Sequence, residues 1–194
     1  MTDIFIIEND AKVTFIDKPK QIKWTQWKTY SECNDEEKKE INLASYPKNC
    51  ILFDRDLPGL TEEQIQHDYE GFKSMLNKRG INSFYSYRSP KGYHVLAPFK
   101  NLNEIDEDLR KEIRKYYISL FLSDPAKISD RGVVSLPGKP HFKNGVTYDI
   151  MENHEGENEV NLVVLEYCKQ KVKEQSELLK KINSDDNFNS YFET

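Results

Sequence analysis

The sequence predicts an α+β fold with mostly antiparallel sheets built from hairpins and flanked by helices. Short apolar and aromatic segments of strand type outnumber the helical segments, and turn residues separate most of them in pairs. Two longer segments between them have the apolar spacing of amphipathic helices. The 194 residues suit one compact domain with an appended tail. We place the domain at residues 1–158 and a C-terminal helix with a loose tail at 159–194.

The first third of the chain predicts strands and one short helix. Apolar runs at residues 4–7 and 13–16 flank Asn9-Asp10 and predict a hairpin, and a charged segment at 35–42 predicts a short helix. A third apolar run, residues 50–53, predicts a strand that ends at Asp54. Leu57-Pro58-Gly59 then turns the chain.

The middle of the chain predicts a helix followed by a hairpin. Thr61 and Gln64 form a capping box that opens the helix. Its apolar positions are spaced by four, three and four residues, and Gly80 ends it. Residues 81–88 and 93–97 then predict two strands joined by a turn at 89–92.

The last part of the chain predicts two helices with a strand pair between them. An amphipathic stripe predicts a helix over residues 104–122. Residues 133–135 and 146–150 predict two paired strands around Pro-Gly turns. Residues 161–182 predict a long helix, and 185–194 a loose end.

Composition excludes several classes of protein. The chain has 28 Lys and Arg against 33 Asp and Glu, a net charge of −5, and no apolar run of the ~18 residues that a membrane span needs. Its three cysteines, Cys33, Cys50 and Cys168, are too scattered for a disulfide framework or a zinc site. We therefore expect a cytoplasmic protein without zinc and without a membrane partner.

The positive charge is clustered although the chain is acidic. Residues 71–103 contain no acid and six basic residues, and residues 131–148 again contain no acid. The acids concentrate outside these two blocks. This pattern favours a local anion-binding surface on an acidic body.

Asp54 and Asp56 carry the strongest local signal for chemistry. Residues i and i+2 of a strand point to the same face, so the two carboxylates can share a hard cation such as Mg²⁺. Two adjacent acids without a cation would repel each other. A plain turn before Pro58-Gly59 is the alternative interpretation.

Two later segments carry the remaining candidates. In residues 89–94, Gly92 lets backbone N–H groups approach phosphate oxygens, Lys91 adds a charge, and His94 can donate a hydrogen bond. Further along, Asp124 and Asp130 precede a Pro-Gly turn that is followed by basic residues. An exposed basic hairpin is the alternative for each segment taken alone.

In this order the motifs resemble the archaeo-eukaryotic primase superfamily, in particular small-subunit DNA primases and the primase-polymerases of mobile elements. The resemblance covers residues 50–150. The family's Asp-x-Asp motif matches Asp54 and Asp56, and its Ser-x-x-Gly-x-His motif matches residues 89–94. The six-residue spacing of two acids matches Asp124 and Asp130, and its Pro-x-Ser-x-His-x-Lys-x-Gly stretch corresponds to residues 137–145. The chain differs from the family at Arg55, where an apolar residue is usual, and in keeping only Arg131 of two arginines.

The resemblance implies a primase-polymerase catalytic core and two-metal nucleotidyl transfer with dNTPs or NTPs. It assigns two Mg²⁺ or Mn²⁺ ions to Asp54, Asp56 and Asp124, with Asp130 as the alternative third ligand, and it makes His94 a catalytic residue. The implied nucleotide-binding residues are Ser89, Lys91, Gly92, His94, Arg131, His141 and Lys143.

The resemblance also implies partners. These are a DNA template and primer, the incoming nucleotide, and a helicase or other replication subunit that docks on the C-terminal helix. Two other functions remain open at this stage. One is a non-catalytic nucleic-acid-binding replication initiator on the same scaffold, and the other is a metal-dependent phosphatase or nuclease.

Overall fold

Pairs of consecutive strands alternate with α-helices in the computed structural model, which describes residues 7–15, 27–45, 47–129, 132–141 and 144–184. The strands in these ranges are β1 (Lys12–Phe15), β2 (Lys28–Thr29), β3 (Ile41–Ser45), β4 (Cys50–Asp56), β5 (Phe84–Ser89), β6 (Gly92–Pro98), β7 (Val133–Ser135) and β8 (Ile150–His154). The α-helices are α1 (Asp35–Glu40), α2 (Glu62–Lys78), α3 (Glu107–Leu120) and α4 (Leu162–Ser184).

The described strands form two four-stranded sheets. The first sheet has the order β2-β1-β3-β7 and the second has the order β4-β6-β5-β8. Every pairing between these strands is antiparallel. The predicted α+β class with antiparallel sheets is therefore confirmed.

The strands and the helix between residues 50 and 98 lie where the capping, turn and apolar patterns of the sequence predicted them. Helix α2 begins at the predicted capping box, where the side chain of Thr61 accepts a hydrogen bond from the backbone N–H of Gln64. Its predicted apolar positions are buried. Strands β5 and β6 form the predicted hairpin, with Ser89 opposite Gly92.

The predicted pairing of residues 133–135 with 146–150 is wrong. Strand β7 pairs with β3 in the first sheet, and β8 pairs with β5 in the second. Among the described residues, the links near these two stretches come from the chain after β7. They are an isolated bridge between Pro140 and Thr147 and backbone hydrogen bonds from the N–H of Gly138 to the oxygen of Tyr148 and from the N–H of His141 to the oxygen of Val146. Turn residues reveal that the chain changes direction, but the partner of each strand is chosen by distant residues.

The predicted helices differ only at their bounds. Helix α3 begins three residues later than predicted, because the side chain of Asp106 caps it by accepting from the N–H groups of Asp108 and Leu109. Helix α4 matches the predicted tail helix. Residues 4–6, residue 16 and residues 185–194, which belong to the predicted hairpin and loose end, lie outside the described residues.

The second sheet is buried on both faces. One face packs on α2 and α3 through a core that includes Phe53, Phe72 and Ile113, and the start of α4 adds Val164 to it. The opposite face carries a smaller cluster that Val134 of the first sheet joins. The sheets therefore meet at this second face.

The outer edge of β4 is occupied by groups from outside the sheet. The guanidinium of the fully buried Arg114 donates to the backbone oxygens of Cys50, at 3.3 Å, and Lys48, at 2.9 Å. Further along the same edge, the backbone N–H of Asp124 donates to the backbone oxygen of Asp54 at 3.1 Å. This last bond holds the segment after α3 beside the end of β4.

Gly92 lies where β4 and β6 approach most closely. A Cβ atom built on Gly92 would lie 1.8 Å from the backbone oxygen of Arg55, a distance that no folded protein accommodates. The glycine predicted to let the backbone approach phosphate is thus required first by the neighbouring strand.

The variant Gly92→Ala should be destabilised by about 2 kcal/mol or more, because β4 and β6 must separate to accept the methyl group. The matched control is Gly71→Ala in α2, where nothing lies within 4 Å of the added Cβ. Alanine favours helices over glycine, so the control should gain about 0.5–1 kcal/mol. Urea unfolding of both variants checks this, and equal stability of Gly92→Ala and the wild type would contradict it.

None of the helices in the described ranges has the length and apolar character needed to cross a membrane.

Candidate active site

The register of the second sheet brings four predicted site residues to one face. Asp54 lies opposite His94 and Asp56 lies opposite Gly92 in the pairing of β4 with β6. On the other side of β6, Ser89 of β5 also lies opposite Gly92. Since alternate residues of a strand share a face, the two carboxylates, His94 and Ser89 point toward the same side of the sheet.

This face borders a cavity of about 240 Å³ that also contacts the first sheet. The second sheet and its neighbouring segments contribute Asp54, Asp56, Ser89, Pro90, Lys91, His94, Asp124 and Lys127. The remaining walls are Trp27, Leu43, Val133, Ser135 and His141. The structure thus gathers acids, histidines and lysines that are far apart in the sequence around one opening.

Asp54 is the most enclosed acid of the cavity. Its side chain is 11% exposed and lies between two basic groups, with His94 Nε2 3.2 Å from Oδ1 and Lys127 Nζ 3.3 Å from Oδ2. The histidine is close enough for an ion pair but lacks the alignment of a hydrogen bond. Oδ1 is therefore a buried carboxylate oxygen without a hydrogen-bond donor among the described residues.

The environment of Asp54 keeps it ionised. Burial alone opposes the charge, but His94 and Lys127 together outweigh it and lower the pKa of the carboxyl to about 2. A buried carboxylate is stable only when it is paired, and these two neighbours provide the pairing.

Tyr87 holds His94 from the side opposite to Asp54. Its hydroxyl lies 3.0 Å from His94 Nδ1, and the two rings meet edge to face. Tyr87 is buried, and burial raises its pKa well above the usual value, so it stays a neutral phenol. The imidazole is thus fixed with one nitrogen on a phenol and the other beside a carboxylate.

Asp56 and Asp124 are more accessible. Asp56 is exposed at the end of β4. Asp124 starts a 3-10 turn, Pro125–Lys127, and one of its carboxylate oxygens accepts from the N–H of Ala126 at 2.9 Å. The backbone bond between Asp124 and Asp54 keeps the turn next to the paired acids.

The three carboxylates are of the ligand type that a divalent cation prefers, but their side chains do not form a cluster in this structure. Carboxylate oxygens are the preferred ligands of Mg²⁺ and Mn²⁺, and Asp54 Oδ1 lacks a donor. However, the described residues contain no group of three His, Cys, Asp or Glu side chains close enough together to hold a metal ion. The side chains of Asp56 and Asp124 would have to turn toward Asp54 to complete a site.

The residues predicted to bind nucleotide fall into two groups. Ser89, Lys91 and His141 line the cavity with His94. Ser89 is buried, and its hydroxyl has no hydrogen-bond partner within the described ranges; His141 is also buried. Arg131 and Lys143, together with the alternative metal ligand Asp130, lie outside the described residues.

The cavity lining includes Lys127, Ser135 and Trp27, which were not predicted from the sequence as site residues. Lys127 lies three residues after Asp124 in an Asp-Pro-x-Lys turn, which places both on one short turn and could have been noticed. Ser135 reaches the cavity because β7 pairs with β3, and its buried hydroxyl has no hydrogen-bond partner in the part of the chain that the structure describes. No feature of the sequence predicted the pairing of β7 with β3.

Arg55, the residue that departs from the family pattern, points away from the cavity and ties three elements together. It donates to both carboxylate oxygens of Asp68 in α2, at 3.1 and 2.8 Å, and to the backbone oxygen of Leu122 at 3.2 Å. Tyr93 also donates to Asp68. Arg55 thus connects β4 to α2 and to the segment that leads into Asp124.

Part of the predicted anion-binding charge is neutralised in the fold. Lys73 pairs with Glu152 at 2.6 Å, and Arg88 pairs with Glu62 at 2.7 Å. Both basic residues come from the acid-free block 71–103, but their partners come from other parts of the chain. The positive groups left at the cavity are fewer than the sequence blocks indicate.

Three solved structures have a similar fold. They are the catalytic domain of primase RepB′ in complex with initiator DNA, with a TM-score of 0.58, and the longer primase RepB′, with a TM-score of 0.57. The third is the archaeo-eukaryotic primase domain of the cyanophage S-2L primase-polymerase, with a TM-score of 0.50. The chain has the fold of an archaeo-eukaryotic primase.

The likeness extends over most of the chain but not to the sequence. Sequence identity is 14% to the RepB′ catalytic domain, and the alignment covers 87% of this chain and 88% of that domain. Sequence identity to the longer RepB′ chain is 15%, and the alignment covers 89% of this chain and 60% of that chain. Identity to the cyanophage domain is also 15%, and the alignment covers 82% of this chain and 86% of that domain. No protein-family model and no curated protein matches the sequence. The primase resemblance is therefore confirmed for the fold.

Replacing Asp68 with Asn should destabilise this primase fold by roughly 1–3 kcal/mol, because the partly buried Arg55 loses its ionic partner. The matched control is Glu107→Gln, which breaks an exposed pair with Lys111 in α3 and should cost at most about 0.5 kcal/mol. Urea unfolding measures both. A loss in Asp68→Asn no larger than that of the control would contradict the connecting role of Arg55.

Proposed function

We propose that this protein is a template-directed nucleotidyltransferase, a DNA primase or polymerase, that extends a primer with dNTPs or NTPs. The observation that carries the proposal is the shared cavity. Asp54, Asp56 and Asp124 line the same opening as Ser89, Lys91 and the two histidines. Acids that can hold cations and groups that can bind phosphate must meet in one place for this chemistry.

The carboxylates would hold two Mg²⁺ or Mn²⁺ ions, which when bound activate the primer hydroxyl and stabilise the charge of the leaving pyrophosphate. Asp54, kept ionised by its neighbours, is available as a ligand across the physiological pH range. Asp56 is exposed and Asp124 is adjacent through the backbone, so both can turn toward it.

Other residues that line the cavity would bind the triphosphate. Lys91 is exposed on the β5–β6 turn and can approach phosphate as a point charge. The hydroxyls of Ser89 and Ser135, which bond to none of the described residues, offer hydrogen bonds that a phosphate oxygen can accept. His94, held by Tyr87, presents its other nitrogen to the cavity beside Asp54.

We further propose a DNA template and primer as partners, since one solved structure with this fold is a primase in complex with initiator DNA. Helix α4 would provide a docking surface for a helicase or another replication subunit. Leu178 and Leu179 in its second half are more than half exposed, as a docking helix requires.

One observation favours a second candidate, a non-catalytic replication initiator that binds nucleic acid with the same scaffold. Lys127 already neutralises Asp54, and the described residues hold no ready group of three metal ligands. A binding module would need neither ion. Incubation with a primed template, labelled dNTPs and Mn²⁺ separates the candidates, because only the nucleotidyltransferase lengthens the primer and a nuclease would shorten it.

Replacing Asp56 with Asn should lower primer extension by about 100-fold or more, since a ligand for the catalytic cation is lost. Asp56 is exposed, so the folded state should keep its stability, and the melting temperature serves as a check. Asp54→Asn should abolish extension as well, although it also leaves Lys127 without its partner.

The matched control is Asp35→Asn, which removes one exposed carboxylate from the first turn of α1 and should leave extension unchanged. Full extension by Asp56→Asn would reject the assignment of this acid to a cation.

Replacing His94 with Ala should raise the KM for dNTP by about 10-fold while the affinity for template DNA stays within about twofold. The reason is that His94 faces the cavity and is buried, away from the outer surface that a template would contact. Steady-state extension and filter binding measure the two quantities. His67→Ala, an exposed histidine on α2, is the control. A loss of template binding with an unchanged KM would contradict the nucleotide role.

A further inference from the structure

Lys127 occupies the position beside Asp54 that an inorganic cation would take. Its ammonium lies 3.3 Å from Asp54 Oδ2 and also donates to the backbone oxygen of Val133 at 3.2 Å. The side chain of Lys127 is 17% exposed and that of Asp54 is 11% exposed. The pair is thus largely shielded from water. Opposite charges attract each other more strongly in such a shielded position than in water.

A divalent ion and this ammonium cannot both sit against the same carboxylate without a large repulsion. Two positive charges a few ångströms apart in a shielded site repel each other strongly unless one moves away. Asp54 is the only buried acid among the described residues that line the cavity, so the competition centres on this one side chain.

The competing lysine and a proposed ligand also belong to one short turn. Asp124 starts the turn and Lys127 ends it, and the turn is joined to β4 by the backbone bond from Asp124 to Asp54. Any rearrangement that brings the Asp124 carboxylate toward Asp54 must therefore displace or accommodate the ammonium of Lys127.

From these contacts we propose that Lys127 is an internal counter-ion that competes with the divalent cation for Asp54. It keeps the buried carboxylate paired while no ion is bound, and it must leave Asp54 when the ion enters. Lys127 therefore weakens cation binding, although it lies within the candidate active site. This inference rests on the proposed cation site at Asp54, but not on DNA synthesis.

The test is a titration of the full chain with Mn²⁺ alone, in which electron paramagnetic resonance measures the free ion and no nucleotide or DNA is present. Lys127→Gln should bind Mn²⁺ about 10-fold more tightly than the wild type, because the competing charge is gone. Lys127→Met is a second neutral variant for the case that Gln is poorly accommodated. Circular dichroism confirms that each variant is folded.

Two controls define the interpretation. Lys139→Gln removes a positive charge near the cavity that does not contact Asp54, since its ammonium donates to the backbone oxygen of Lys39. It should change the affinity for Mn²⁺ by less than about twofold. Asp54→Asn should weaken Mn²⁺ binding, which shows that the titrated site includes this carboxylate.

The proposal is overturned if both neutral variants at Lys127 bind Mn²⁺ with the wild-type affinity or more weakly. It is also overturned if Lys139→Gln tightens binding as much, since the effect would then be general electrostatics, or if Asp54→Asn leaves binding unchanged. Failure of the proposed function is a separate result. If the wild-type protein does not extend primers but the Lys127 variants bind Mn²⁺ more tightly, the proposed polymerase function is rejected. The proposed competition between Lys127 and the cation is then retained.

Discussion

The cavity depends on a negative charge that is buried at the end of a strand. Asp54 follows four buried residues of β4, and a carboxylate in that position requires basic or hydrogen-bonding neighbours. His94 comes from the adjacent strand and Lys127 from a turn that follows α3. The requirement to pair this one charge thus brings together three segments that are distant in the sequence, and it is these segments that enclose the cavity.

Successive side chains of β4 around Asp54 point to opposite faces of the sheet and therefore have different roles. Asp54 and Asp56 face the cavity, whereas Arg55 between them faces the helices and binds Asp68. An apolar residue at position 55 would pack against α2, but it would not reach the backbone oxygen of Leu122. The departure of Arg55 from the family pattern therefore adds a polar connection behind the site while the cavity keeps its acids.

Much of the fold could be predicted from the sequence, because its signals are local. The capping box of α2, the turn between β5 and β6, and the apolar run of β4 each specify an element within a few residues. The pairing of β7 and β8 could not be predicted, since their partners β3 and β5 lie far away in the chain. The contact of Lys127 with Asp54 could not be predicted for the same reason. The Asp-Pro-x-Lys turn places Lys127 near Asp124, but nothing in the sequence shows that its ammonium is 3.3 Å from Asp54. The roles of the candidate residues stay predictions, and Asp130, Arg131 and Lys143 lie outside the described ranges.

The occupied edge of β4 has a consequence for how this protein meets other chains. Arg114 and the N–H of Asp124 bind backbone oxygens that an added strand would need. Unprotected sheet edges invite pairing between molecules and, with it, aggregation. Here the edge nearest the acids is closed to such strand addition. Aggregation by pairing of strands from different molecules therefore cannot begin beside the cavity.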